Sequence, residues 1–87
     1  MRRVFTDNAW ADYLWWQGQD KKTLKRINAL IEDACRNGYE GLGKPEPLRG
    51  ELSGFWSRRI NERDRLVYRV SGDALEILAC RFHYSDH

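Results

Sequence analysis

The heptapeptide KPEPLRG, residues 44–50, sets one carboxylate, Glu46, between the chain's two prolines. Each pyrrolidine ring fixes its own φ and disfavours helix at the residue before it, so Lys44 and Glu46 are expected in extended conformations on a short, stiff, non-helical segment. Such a mounting suits a general base that must reach one proton, because a displacement of about 1 Å can cost roughly 100-fold in rate. At the far end of the chain RFHY holds His83, an imidazole able to give or take a proton near neutral pH. Between them Arg58, Arg59, Arg63, Arg65 and Arg69 stand against only Glu62 and Asp64. Every cation there is arginine, whose planar fork matches phosphate better than a lysine does. Taken singly, each feature has a plainer reading: Glu46 solvated in a loop, arginines paired across strands, His83 an exposed tail residue. Taken together, a fixed carboxylate, Arg65 and His83, with Arg81 two residues before the histidine, could bracket a phosphodiester as base, charge stabiliser and acid.

For those groups to meet, the chain between them must fold in a particular way. RRVFT, residues 2–6, reads as a strand, and Asp7 as the N-cap of a helix with Trp10, Tyr13, Leu14 and Gln17 on one stripe, stopped at Gly18. Asp20 caps a second helix whose Leu24, Ile27, Leu30, Ile31, Ala34 and Cys35 follow helical spacing, and Asn37-Gly38 ends it. Residues 39–48 form a connecting loop. FWSRRI, RLVYRV and ALEILACRFHY read as strands, separated by the turn-like residues 61–64 and 71–73. In RLVYRV, Leu66, Tyr68 and Val70 alternate with Arg65, Val67 and Arg69, so helices can cover the first set while arginines project from an open, basic face. A last strand running through His83 would put it on the same side as Arg81. The expected fold class is α+β, in the order β-α-α-β-β-β, with a helical hairpin on one face of a twisted, mainly antiparallel sheet and residues 1–87 as one domain.

Composition narrows the function classes. Aromatic residues make up 13% of the 87 residues and must carry much of the core. Fifteen basic against 13 acidic groups leave a net charge of +2, too balanced to announce a polyanion partner by itself. No apolar run is long enough for a membrane span and the start MRRVFTDNAW lacks the pattern of a secretory signal, so a cytoplasmic protein is expected. Cys35 and Cys80 have no spacing that suggests zinc and are expected to be buried thiols. No metal or cofactor is called for.

The run GKPEPLRGELSGFWSRRI, the segment RLVYRV and the ending ACRFHY resemble the YoeB toxins of the RelE/ParE superfamily. WADYLWWQ and KRINALIEDA match in order and spacing, so that the likeness extends from Val4 to Tyr84. The resemblance implies a RelE-like microbial ribonuclease fold and a bacterial type II toxin that cleaves messenger RNA in the ribosomal A site, restrained by a YefM-type antitoxin; a homodimer is compatible with it. It also assigns Glu46 as general base, Arg65 as phosphate-stabilising arginine, His83 as general acid and Tyr84 as the closing aromatic of the site. Lys44, Arg49 and Arg59 match positions near RNA backbone. The implied chemistry is a metal-free attack of a ribose 2′-hydroxyl on the adjacent phosphorus. Two departures stand out: Arg63 occupies a position where relatives commonly carry an acid, and Ser85-Asp86-His87 extend past the usual end. A ParE-like inhibitor of DNA gyrase is the alternative, but it has no use for an acid and a base around a phosphate.

Overall fold

One aspartate joins the two helices of the molecule, which the computed structural model describes over residues 1–82. Asp20 donates its backbone N–H to the Trp16 carbonyl, ending α1 (Asp7–Gln19), and its carboxylate accepts from the amides of Lys22 and Thr23, starting α2 (Lys21–Asn37). Helix α1 therefore continues through Gly18, the expected stop. Its N-cap is Thr6 and not Asp7: the Thr6 hydroxyl accepts from the Ala9 amide at 3.0 Å, and Asp7 occupies the first turn, where the helix dipole favours an acid.

The buried stripe of α1 is also rotated from the expected one. Ala9, Asp12 and Trp16 face inward with Tyr13 beside them, while Trp10 and Leu14 are exposed. Helix α2 follows its periodicity, burying Ile27, Leu30, Ile31 and Ala34 before Gly38 takes a positive φ of 65° at the cap.

The remaining elements are β1 (Arg2–Phe5), β2 (Glu46–Pro47), a 3-10 turn over Gly50–Leu52, β3 (Trp56–Arg59), β4 (Arg65–Ser71) and β5 (Ala74–Ala79). They form one sheet in the order β1-β5-β4-β3-β2, antiparallel except where β1 lies parallel to β5. The α+β class holds, with the two-residue strand β2 added at one edge. The principal core lies between the helices and the sheet, where Leu30 and Ile31 meet Leu66, Tyr68, Leu75 and Ile77.

The opposite face is less open than alternation implied. Val67 is buried there with Leu48 and Ala79, and Leu52, Phe55 and Leu78 pack on them, so residues 48–55 roof its middle. Strand β5 also stops at Ala79 and does not run on to residue 84 as expected. The cause is α1: Asp12 accepts from the Cys80 amide at 3.0 Å and the Trp16 indole donates to the Cys80 carbonyl at 2.7 Å. Both groups that would continue a ladder are taken, and Phe82 then turns with a φ of 64°.

Candidate functional site

Glu46 lies in the edge strand β2 opposite Ser57, which is itself opposite Val67 of β4. Register therefore puts Glu46 on the sheet face turned away from the helices, with its carboxylate exposed. The same face carries Arg59 at the end of β3 and Arg65 at the start of the central strand β4, directly paired. Two like charges opposite one another in a ladder repel, and an anion between them relieves that repulsion. Arg65 is held in place, since its guanidinium donates to the carbonyls of Asn61 at 2.7 Å and Asp64 at 3.1 Å. Glu46, Pro47, Leu48 and Arg49 line a shallow hollow of about 350 Å³ beside this face.

Glu46 has the extended backbone its prolines call for; Lys44 does not. Its φ of 51° is left-handed, because the loop is tied to β3 through the Arg59 amide, which donates to the Gly43 carbonyl at 2.7 Å. Lys44 and Arg49 are both exposed at the border of the site.

Arg58 belongs to the other face. Paired with Leu66, it is fully buried among the helices and makes five hydrogen bonds, to the Tyr68 hydroxyl, to Asp33 at 2.5 Å and to the carbonyls of Gly38, Glu40 and Leu42. That ion pair holds the Asp33 carboxyl below the usual aspartate range, while burial pushes the Tyr68 hydroxyl up. Arg69 pairs with Glu76 and lies over the Phe55 ring. Of the five clustered arginines, Arg59, Arg63 and Arg65 thus remain without a carboxylate partner among the described residues.

At the end of the site, Arg81 stacks on Trp15 at 3.5 Å and over Phe82 at 4.3 Å, and Arg63 approaches the other residues through Phe82 at 5.2 Å. Cations alternating with rings form a column at the border of the arginine face, which suits bases and phosphates. His83 and Tyr84 lie outside the described residues. The Cys80 thiol, buried and driven up to about 12, is no nucleophile.

Sequence reasoning passed over Asp12, Trp16 and Asp64, the groups that hold the segment leading to His83. Only the spacing of Asn61 and Asp64, an ordinary turn signal, could have pointed to one of them.

Over residues 5–84 the chain matches the family described as YoeB-like toxin of bacterial type II toxin-antitoxin system. It is 56% identical to the Toxin YoeB of Escherichia coli K12 over 84 residues, 97% of this chain and all of that one. The chain belongs to the YoeB family. It is a toxin of a type II toxin–antitoxin system. The structure of the YoeB/ParE toxin from Agrobacterium tumefaciens superposes with a TM-score of 0.93 at 51% identity, covering 97% of this chain and 100% of that one. YoeB of Staphylococcus aureus, seen in a YoeB–YefM complex, superposes with a TM-score of 0.89 at 44% identity over 97% of this chain and 98% of that one. A YoeB from S. aureus is also seen as a dimer, with a TM-score of 0.90 at 45% identity over 97% of this chain and 98% of that one.

Proposed function

We propose that this YoeB-family toxin is an endoribonuclease that cuts messenger RNA in the ribosomal A site. The observation that carries this reading is the register that sets Glu46 on one sheet face with the opposed pair Arg59 and Arg65. Glu46 takes the proton of a ribose 2′-hydroxyl, whose oxygen attacks the adjacent phosphorus while the bond to the 5′-oxygen breaks. Arg65 meets the negative charge that builds on the non-bridging oxygens. His83, as imidazolium, protonates the departing 5′-oxygen, with Tyr84 beside it in the sequence. The products are a 2′,3′-cyclic phosphate end and a free 5′-hydroxyl end. Lys44, Arg49, Arg59 and Arg81 hold flanking phosphates, and no step calls on a metal or cofactor.

A YefM-type antitoxin is the expected partner, as for the S. aureus relative, and a homodimer follows the same analogy. The site of action is the cytoplasm, on the ribosome. The test is to add the protein to programmed ribosomes and map new 5′-hydroxyl ends on the message. Glu46→Gln and His83→Gln should each cut cleavage by about 100-fold or more while the protein stays folded and still binds antitoxin. Near-normal cleavage by both variants, or their unfolding, overturns the assignment.

A further inference from the structure

The turn that joins β3 to β4 does more than reverse the chain. Asn61 closes it, its Oδ1 accepting from the amides of Arg63 at 2.8 Å and Asp64 at 2.7 Å, and the Ile60 amide donates to the Asp64 carbonyl at 3.0 Å. Asp64 is only 7% exposed. Its Oδ2 accepts from the Asn61 side chain at 3.0 Å, which serves the turn, but its Oδ1 accepts from the Phe82 amide at 2.6 Å, which the turn does not need. The Phe82 carbonyl in turn accepts from the Arg65 amide at 3.0 Å. Phe82 is therefore gripped on both sides by consecutive residues, Asp64 and Arg65. It also carries a φ of 64°, a conformation an aromatic residue keeps only when its surroundings impose it. The gripped carbonyl belongs to the peptide bond that leads to His83.

We propose that Asp64 is a positioning residue for the general acid: by holding Phe82 against the first residue of β4, it fixes the point from which the chain reaches His83 relative to Arg65. This rests on the nuclease reading above. A buried carboxylate is costly unless its lone pairs are satisfied, and here one oxygen is committed to the segment ahead of the acid. Asp64 touches neither RNA nor a reacting atom in this reading; it acts through the Phe82 backbone.

The test uses programmed ribosomes and a message whose cut position carries either the normal phosphodiester or a bridging 5′-sulfur, a leaving group that needs no proton. His83→Gln should be slow on the normal message and close to the parent on the sulfur one. Asp64→Ala should show the same pattern, slowed on the order of 100-fold on oxygen, with half-saturation unchanged and near-parent rates on sulfur. Asp64→Asn, which keeps an oxygen for the Phe82 amide, should recover most of the loss. Should Asp64→Ala fail to fold, Asp64→Ser carries the comparison, because it keeps a polar group at the turn while its shorter side chain withdraws the oxygen that the Phe82 amide meets. If sulfur does not rescue His83→Gln, the assignment of His83 as general acid fails. If sulfur rescues His83→Gln but leaves Asp64→Ala (or Asp64→Ser in its place) slow, or if that variant cleaves both messages like the parent, the positioning role fails.

Discussion

Arg58 and Arg59 are neighbours in sequence and opposites in consequence. Strand alternation turns one into the helical layer and the other onto the candidate site. Replacing Arg58 by Met would leave the Asp33 carboxylate without its cation and take a donor from the carbonyls of Glu40 and Leu42, and breaking a buried pair in this way typically costs about 3–5 kcal/mol. At roughly 4–8 °C per kcal/mol for a domain of this size, thermal denaturation should show a fall of well over 10 °C. Arg59→Ala should leave the melting temperature nearly unchanged, within about 0.5 kcal/mol of stability, yet weaken cleavage on ribosomes and its dependence on salt. A large thermal loss for Arg59→Ala, or none for Arg58→Met, would contradict the two placements. The same ion pair sets a pH dependence. The Asp33 carboxyl titrates lower in the folded chain than its ordinary 3.8, so the stability it confers is complete above that value and is lost as pH falls below it toward the folded-state titration. Acid unfolding of Asp33→Asn should lack this part of the acid limb, although the variant starts less stable at neutral pH.

The elements differ in how plainly they could be read from the chain. Helix α2 was legible because its stripe is aliphatic and regular; α1 was not, because its inner stripe contains Ala9 and Asp12, which look like surface residues, while Trp10 and Leu14 look like core. The turning of Arg65 away from the helices followed from alternation, and the extended backbone of Glu46 from its prolines; that Arg59 lies opposite Arg65 came only with the register. Arg58 was hidden because an arginine is read as solvated unless its partners are known, and apart from Tyr68 these come from residues 33–42, far away in sequence. The end of β5 was hidden for a similar reason, since the groups that divert Cys80 lie on α1. One glycine joins local conformation to the site. Gly43 has a φ of 80°, and a Cβ there would come 2.8 Å from Leu30 Cδ2 and 3.1 Å from Arg58 Cβ. Gly43→Ala should therefore push the loop that precedes Glu46 off β3, lowering both stability and cleavage. Gly54→Ala, at a positive φ but in open space, should carry only the backbone strain and leave cleavage nearly intact. Equal loss of cleavage in the two variants would argue against a close fit of the loop at Gly43.

At the scale of the whole molecule, charge sets the limit on what the toxin can do alone. The chain has a net charge of +2 and its greatest dimension is about 31 Å. Burial of Arg58 and pairing of Arg69 with Glu76 remove two arginines from the face that the sequence offered to RNA. Affinity for a polyanion grows with the number of phosphates neutralised, and non-specific binding by few contacts collapses as salt rises. What remains, Arg59, Arg63 and Arg65 with Lys44, Arg49 and Arg81 at the border, can engage only a handful of phosphates, too few to select and align a flexible strand at physiological salt. In the proposed reaction the ribosome must therefore supply most of the binding and hold the message in line. The prediction is that free RNA is cleaved slowly and only at low ionic strength, whereas cleavage on programmed ribosomes persists as salt is raised over the range in which ribosomes stay intact. Side-by-side rates on free and ribosome-bound copies of one message, measured across a salt series, decide the matter. Efficient cleavage of free RNA at physiological salt and low enzyme concentration would show that the arginine face suffices without the ribosome.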